Sequence, residues 1–180
     1  MTRIAICYGS RYGTTTEIVK GMAETATTLG AQVEIVELKK SKLSAAIEEY
    51  DIIIVGSGIR VERWTKEPLK FIEENLESLS KQKVALFVVC GDAGNPSRCD
   101  YAQKNYLDAI VEQYPGLSPV STGLFAGMFD LKRYNFPTRA LVKSIIKQRA
   151  SGLEEIPEVM DLRDWDHINE WITKLIQIRN

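Results

Sequence analysis

The 180-residue sequence is poor in the residue types that build metal centres and disulfide frameworks. It contains one histidine, His167, and three cysteines, Cys7, Cys90 and Cys99. The spacing of Cys90 and Cys99 fits no zinc motif, and an odd number of cysteines forms no complete disulfide set. We therefore expect reduced thiols and a cytoplasmic protein. The spacing alone does not decide whether Cys90 and Cys99 pair.

The sequence also lacks an excess of one charge and long apolar runs. Its 23 Lys and Arg residues are balanced by 24 Asp and Glu residues, for a net charge of −1, whereas a nucleic-acid-binding domain carries a strong basic excess. No apolar run reaches the roughly 20 residues of a transmembrane helix, and the N-terminus leads into a strand pattern rather than a signal peptide. These absences predict one globular domain over residues 1–180 that binds no nucleic acid and has no transmembrane segment.

Apolar patterns divide the chain into alternating strands and helices. Continuous apolar runs predict buried strands at residues 3–9, 51–56 and 83–90, and the run at 51–56 is the most apolar and hence the most central. Alternation predicts a strand near a sheet edge at 33–38, and a fifth strand is predicted at 120–126. Helices are predicted at residues 14–29, 41–50, 67–79, 100–114, 138–149 and from Asp164 onward, with loops at 91–98 and 127–137. The last helix has an apolar stripe, which we expect to pack on the sheet.

This alternation predicts an α/β fold with a five-stranded parallel sheet and helices on both faces. In such sheets a ligand binds beyond the carboxyl ends of the strands. The loops after the first, third and fourth strands, residues 10–16, 57–65 and 91–101, are therefore the candidate binding loops.

The first loop has the composition of a phosphate site. Residues 10–16 read Ser-Arg-Tyr-Gly-Thr-Thr-Thr, so hydroxyls, unpaired backbone N–H groups and the positive end of a helix dipole meet there. The loop lacks the lysine of a Walker P-loop and the three glycines of a dinucleotide fingerprint. It fits a phosphate monoester held by Ser10, Thr14, Thr15 and local N–H groups. Arg11 either adds charge to that site or points into solvent.

The second and third loops carry side chains that can flank a flat ring. Trp64 either covers a planar ligand or anchors the following helix, and Tyr101 offers a second ring. Asp92 is either a ligand residue or a turn residue. Val61 is β-branched and disfavours positive φ. Together the three loops predict a mononucleotide with an aromatic head group.

These motifs resemble those of the flavodoxin-like family over essentially the whole chain. The resemblance rests on Ser10-x-x-Gly13-x-Thr15 and on the spacing of Gly56-Ser57-Gly58 and Cys90-Gly91-Asp92. It implies a flavodoxin-like three-layer sandwich that binds FMN, with the phosphate on the first loop and the isoalloxazine between the second and third. The candidate cofactor-binding residues are Ser10, Arg11, Tyr12, Gly13, Thr14 and Thr15, then Ser57, Gly58, Ile59, Arg60, Val61 and Trp64, then Cys90, Gly91, Asp92 and Tyr101.

The C-terminal half resembles a narrower group, the flavodoxin-like quinone-dependent protoporphyrinogen oxidases. The matching residues are Gly123–Gly127, Lys132-Arg133-Tyr134, the helix 139–147 and Asp161-x-x-Asp164-Trp165. Those enzymes carry a longer, basic insert in the third loop, where this chain has only Arg98 as a cation between residues 91 and 99.

The resemblance therefore implies, as the first choice, a low-potential electron carrier between redox protein partners, with neither catalytic nor metal-binding residues. The alternative is a menaquinone-dependent protoporphyrinogen oxidase, which would meet a quinone and a porphyrinogen. A response-regulator-like binding module shares the architecture, but it requires carboxylates where Ser10 and Arg11 stand.

Overall fold

The computed structural model describes residues 1–149 and 156–178 of the chain. The strands within these residues are β1 (Arg3–Gly9), β2 (Gln32–Glu37), β3 (Ile52–Gly58), β4 (Lys83–Cys90), β5 (Ser121–Ala126), β6 (Met128–Asp130) and β7 (Val159–Asp161). The α-helices are α1 (Thr14–Thr28), α2 (Lys66–Glu74), α3 (Leu76–Leu79), α4 (Cys99–Ala102), α5 (Ala109–Gln113), α6 (Phe136–Arg149) and α7 (Trp165–Gln177).

Five strands form one parallel sheet in the order β2-β1-β3-β4-β5. This order confirms the predicted sheet, and it is the flavodoxin-like order among doubly wound folds. The alternating strand β2 lies at an edge, and the strand with the continuous apolar run, β3, lies in the centre. The two sequence patterns differ because the central strand β3 is buried on both faces, whereas the edge strand β2 keeps polar side chains in contact with solvent.

The sheet separates two apolar cores. Successive side chains of β1 point to opposite faces, so Ala5 and Cys7 join one core while Ile4, Ile6 and Tyr8 join the other. Helices α2 to α5 cover the first core, and α1 and α7 cover the second. The stripe on the last helix packs as predicted, since its buried members Ile168, Trp171, Ile172 and Leu175 all lie in the second core.

The helix predicted at 41–50 is wrong. Only a single 3₁₀ turn, Ile47–Glu49, forms there. Glu34 on edge strand β2 accepts hydrogen bonds from the backbone N–H and the hydroxyl of Ser44, at 2.8 and 2.6 Å, and another from the Tyr50 hydroxyl. These bonds hold the segment against the sheet edge and compete with the formation of a helix there.

The region from 91 to 114 is more irregular than predicted. The loop contains two 3₁₀ turns, Asp92–Gly94 and Pro96–Arg98. In the following helix, a π-helical segment, Gln103–Asp108, separates α4 from α5. Such π segments are rare and often lie at functional sites, and this one begins directly beside a candidate binding loop.

The stretch predicted as a loop at 127–137 contains a strand. Residues of β6 pair antiparallel with β7 in a small second sheet, and helix α6 begins at Phe136, two residues before the predicted start. We call residues 127–134 and 159–161 the flap. At the two ends of the β6–β7 pair, the Leu131 N–H donates to the Glu158 carbonyl (2.9 Å) and the Leu162 N–H donates to the Gly127 carbonyl (3.1 Å).

One carboxylate ties the flap to helix α1. Glu17 accepts hydrogen bonds from Arg133 at 2.8 Å and from Arg163 at 2.6 Å, and these arginines also bind Asp130 and Asp161 respectively. Burial opposes ionisation of Glu17, but the two guanidinium groups outweigh it and hold the pKa of this carboxyl below its ordinary value of 4.5. The flap is therefore held beside the first binding loop by ionised groups.

The second binding loop contains a strained turn. Arg60 and Arg63 exchange backbone hydrogen bonds at 2.9 and 3.1 Å, and the two residues between them, Val61 and Glu62, have φ of 47° and 59°. A two-residue turn of this kind requires positive φ at both central positions. The turn therefore imposes on Val61 a conformation that its β-branched side chain disfavours.

The Glu17 bridge should make the stability of the protein dependent on acid pH. A carboxyl with a depressed pKa contributes stability above its unfolded pKa and loses that contribution as pH falls through the folded value. We expect Glu17→Gln to lower the free energy of unfolding by about 1 kcal/mol at pH 7, after allowance for solvent screening. The difference from wild type should shrink as the pH falls below the ordinary value of 4.5. Urea unfolding at several pH values measures this, with Glu77→Gln, in an exposed pair with Lys81, as the control. A difference that does not change with pH contradicts the bridge.

Relieving the strained turn should stabilise the protein. Asn tolerates the left-handed region far better than Val, and Val61 is 74% exposed, so the substitution removes little packing. We expect Val61→Asn to raise the free energy of unfolding by about 1 kcal/mol and the Tm by about 2–4 °C. Val120→Asn, at an exposed valine without positive φ, is the control and should not stabilise. Equal effects of the two substitutions would contradict the assignment of strain to Val61.

Candidate functional site

The first binding loop presents donors at the start of helix α1. Gly13 is the residue before the helix and has φ of 91°, a conformation suited to glycine. Its N–H donates to the Ser10 hydroxyl oxygen at 3.2 Å, which leaves the Ser10 O–H available as a donor. The first-turn N–H groups of α1 follow, and Thr15 is buried among them with 3% exposure. The loop thus gathers neutral donors at the positive end of a helix dipole.

The second loop is folded back by its first residue. Ser57 is fully buried, accepts a hydrogen bond from the Thr65 N–H at 2.8 Å, and donates to the Gly58 carbonyl at 2.9 Å. A Cβ on Gly58 would lie 2.8 Å from Oγ1 of Thr15. Glycine at that position is thus what lets the second loop approach the first.

The third loop is built around a buried carboxylate. Asp92, 5% exposed, accepts hydrogen bonds from Arg98 at 3.1 Å and from the Tyr106 hydroxyl at 2.9 Å. Burial and the neighbouring carboxylate raise the pKa of Tyr106, so Tyr106 remains a hydrogen-bond donor to Asp92. The guanidinium of Arg98 also lies 4.0 Å from the centre of the Tyr101 ring. These contacts give Asp92 a role in holding the loop, as expected of the turn interpretation.

Trp64 lies in the core on one face of the sheet and does not line a cavity between the loops. It is 7% exposed, and its indole N–H donates to the carbonyl of Tyr106 at 2.6 Å. Trp64 is thus turned into the core as an anchor, but its hydrogen bond goes to the π-helical segment Gln103–Asp108 rather than to α2, the helix that follows the second loop. Tyr101 likewise reaches the second loop rather than the cavity, through a 3.1 Å hydrogen bond from its hydroxyl to Glu62.

The three loops and the flap surround one cavity at the carboxyl edge of the sheet. Its lining residues are Ser10, Arg11, Tyr12, Thr14 and Thr15, then Gly58, Ile59, Arg60 and Thr65, then Val89, Cys90 and Gly91, then Gly127, Met128, Phe129 and Tyr134. Of the sixteen candidate cofactor-binding residues chosen from the sequence, ten line this cavity. The six that do not line it are Gly13, Ser57, Val61, Trp64, Asp92 and Tyr101. Among the described residues, no cluster of His, Cys, Asp and Glu side chains is arranged to hold a metal ion.

The flap residues that line the cavity are not among the cofactor-binding candidates chosen from the sequence. Phe129 packs on Gly91, where a Cβ would lie 2.6 Å from its Cζ, and Tyr134 packs edge-to-face on Tyr12 with ring centres 4.7 Å apart. The hydroxyl of Thr14 donates to the Met128 carbonyl at 3.2 Å. The aromatic residues between 127 and 137 could have indicated a binding role for this segment. A local sequence pattern, however, does not reveal that β6 pairs with the distant strand β7.

The cavity is cationic at its rim and apolar within. Arg11 and Arg60 are exposed lining residues, and Arg133 reaches the first loop through a 3.3 Å bond to the Tyr12 carbonyl. Burial raises the pKa of Cys90 to about 11, so this lining thiol is un-ionised at neutral pH. Cys7, Cys90 and Cys99 are all free thiols. An anionic ligand with an apolar, flat body matches this distribution.

Sequence comparison places the chain in a known family. The family model described as "Flavodoxin domain" matches residues 5–153. Among curated proteins, the chain is similar to the "Protoporphyrinogen IX dehydrogenase [quinone]" of Escherichia coli K12, with 21% identity over 96% of this chain and 94% of that protein. A Leishmania major protein of the same name is 24% identical over 73% of this chain, and the match spans only 56% of that protein.

Solved structures agree in fold. A short-chain flavodoxin associated with a non-canonical PDU bacterial microcompartment superposes with a TM-score of 0.61, at 15% identity over 98% of both chains. Oxidised Flavodoxin 1 from Bacillus cereus superposes with a TM-score of 0.58, at 15% identity over 99% of this chain and 100% of that one. The family match confirms the resemblance drawn from the sequence motifs and, with it, FMN as the cofactor. The chain belongs to the flavodoxin domain family.

Proposed function

We propose that this protein is an FMN-dependent electron carrier between redox protein partners. The observation that carries the proposal is the meeting of a hydroxyl-rich helix start with two glycine-containing loops around one cavity. A carrier needs no nucleophile or general base, because the electron chemistry belongs to the cofactor. FMN, when bound, supplies reversible uptake of one or two electrons, and the protein positions and tunes it.

The residues present fit FMN. For the phosphate, the Ser10 and Thr15 hydroxyls and the first N–H groups of α1 offer neutral donors, and Arg11 adds charge from the rim. The Thr14 hydroxyl, which donates to the Met128 carbonyl in this structure, would join them once the flap moves. For the ring, Gly58 and Gly91 allow close backbone approach, and each would clash if it carried a side chain. Gly13, Ser57 and Asp92 then serve by fixing the shapes of the three loops.

The flap must adjust to admit the ring. The cavity measures about 100 Å³, against roughly 300 Å³ or more for typical small-molecule sites. The Phe129 ring against Gly91 takes up part of that space. Binding would therefore move Phe129 from Gly91, and the apolar faces of Phe129 and Tyr134 would then cover the ring.

A second candidate function is the menaquinone-dependent oxidation of protoporphyrinogen. It is favoured by the similarity to the Escherichia coli dehydrogenase, which extends over nearly the whole of both chains. The third loop provides only Arg98 as a cation, and that guanidinium is already bound to Asp92. We therefore keep the carrier as the first proposal. Anaerobic assay of protoporphyrinogen oxidation with menaquinone separates the two functions, since turnover supports the enzyme and its absence the carrier.

The phosphate site is tested at Thr15. Thr15→Val keeps the shape of the buried side chain but removes the hydroxyl, so we expect FMN to bind about tenfold more weakly, as for one lost bond to a charged group. Fluorescence titration of FMN into the apoprotein measures the Kd. Thr28→Val removes a hydroxyl from the other end of α1 and should leave the Kd unchanged. Wild-type affinity in Thr15→Val would remove Thr15 from the phosphate site.

The ring site is tested at Arg60, a rim cation that lines the cavity. A positive charge near the flavin favours its anionic reduced form. We expect Arg60→Ala to make the reduction potential more negative by about 20–50 mV, the size expected for one solvent-screened charge several ångströms away. Potentiometric titration measures this, and Arg63→Ala, at the other end of the turn and outside the cavity lining, is the matched control. An unchanged or less negative potential in Arg60→Ala refutes the role.

A further inference from the structure

The loops at the carboxyl edge of the sheet carry an excess of positive charge. They follow the carboxyl ends of the five parallel strands, and we call them the edge loops: residues 10–13, 38–46, 59–65, 91–98 and 127–135. The edge loops hold nine of the chain's 23 Lys and Arg residues but only three of its 24 Asp and Glu residues. The rest of the chain is therefore acidic, so the charge is separated although the net charge is only −1.

The cations of the edge loops are largely free, whereas the acidic groups are not. The three acidic residues each bind a partner within the protein, and they are Glu62, Asp92 and Asp130. Five of the nine cations are exposed and form no ion pair with a carboxylate of residues 1–149 and 156–178. These five are Arg11, Lys39, Lys42, Arg60 and Arg63. The edge loops thus offer positive charge that nothing described in the protein neutralises.

The free cations extend beyond the cavity. Arg11 and Arg60 line it, and Arg63 exchanges backbone hydrogen bonds with Arg60 across the strained turn. Lys39 and Lys42 instead line a separate groove against α2, so a ligand confined to the cavity does not reach them. A small anion would leave these two lysines unused, whereas the surface of a protein can cover both regions.

The edge loops present little apolar surface to a lipid bilayer. Val61 is their only exposed large apolar side chain, because the others are buried or half-buried. Protein segments that lie in a membrane interface place a row of apolar side chains in the acyl boundary beside their cations. Among residues 1–149 and 156–178, no helix is long and apolar enough to cross a bilayer. A water-soluble partner with carboxylates on its surface fits the edge loops better than lipid does.

We propose that the edge loops dock an acidic redox protein, with its carboxylates over the mouth of the cavity. This inference rests on the proposed function, since it names the kind of partner with which the carrier exchanges electrons. Separated charge steers an encounter: the edge loops attract the acidic partner and the rest of the chain repels it. The cavity therefore meets the partner first. Exposed cations also suit a transient redox complex, which buries a small interface.

Electron transfer to two haem proteins of opposite charge tests the proposal. The probes are cytochrome b5, which is acidic, and cytochrome c, which is basic. Each is mixed anaerobically with the FMN-loaded, reduced protein, and one electron from the flavin converts the haem iron from Fe(III) to Fe(II). We expect the rate with cytochrome b5 to fall about tenfold between about 0.01 and about 0.3 M ionic strength, because salt screens the attraction. The rate with cytochrome c should not fall.

Charge reversal locates the docking surface. Lys39→Glu with Lys42→Glu should slow the reduction of cytochrome b5 about tenfold at low ionic strength, and the difference should vanish at high ionic strength. The matched control is Lys81→Glu with Lys174→Glu, which reverses two exposed lysines outside the edge loops. Lys81 lies just before β4, and Lys174 lies in the last turn of α7. The control should slow the reaction far less.

Several results would overturn the proposal. One is a rate with cytochrome b5 that does not fall with salt, and another is equal slowing by the two lysine pairs. A third is a steeper fall with cytochrome c than with cytochrome b5. Electron transfer that ignores salt, together with binding of the protein to phosphatidylglycerol vesicles, would assign the edge loops to a lipid surface instead.

A separate measurement distinguishes docking from the proposed function. Titration of cytochrome b5 with the oxidised protein, followed by the haem difference spectrum, reports docking without electron transfer. Docking that Lys39→Glu with Lys42→Glu weakens, with no reduction of either cytochrome, supports the docking surface and contradicts the carrier. Reduction of both cytochromes without a preference for the acidic one supports the carrier and contradicts the docking surface.

Discussion

The parallel hydrogen bonding of β1 to β3 and of β3 to β4 is the constraint on which the site depends. In this register Gly9 lies opposite Ser57, and Gly58 lies opposite Val89. The ends of three strands that are distant in sequence therefore reach the same edge at the same height. The backbone donors at the start of α1 therefore lie beside the second and third loops. The strand register alone brings them together, and no bond between distant side chains is needed.

Much of the sheet could be predicted from the sequence, because burial on one or two faces leaves a pattern in each strand. The alternating β2 and the continuous apolar run of β3 indicated edge and centre correctly. The same reasoning failed for residues 41–50, where Glu34 binds Ser44, and for β6, whose partner β7 follows only after helix α6. Both failures involve partners outside the local window that a pattern describes. That the chain is a single domain stays a prediction.

The candidate site divides in a similar way. Residues at the end of β3 or between β1 and the first turn of α1, such as Ser10, Thr15 and Gly58, line the cavity. Residues chosen for their chemistry alone, such as Trp64 and Asp92, are turned inward to hydrogen-bond partners on the helix that follows the third loop. A large ring or a carboxylate in a loop is stabilised by burial and by hydrogen bonds within the protein, whether or not a ligand is present. The sequence does not reveal which residue will be its hydrogen-bond partner. Backbone placement was therefore predictable where side-chain direction was not.

The π-helical segment Gln103–Asp108 gives one residue two tasks. Tyr106 accepts a hydrogen bond from Trp64 with its carbonyl and donates one to Asp92 with its hydroxyl, so a single side of one helix grips both the second and the third loop. The two walls of the cavity are consequently fixed to each other through one helix, whereas the flap is bonded separately, to helix α1 through Glu17. We therefore expect a ligand that needs more room to displace the flap, because the helix behind the two walls sets the distance between them.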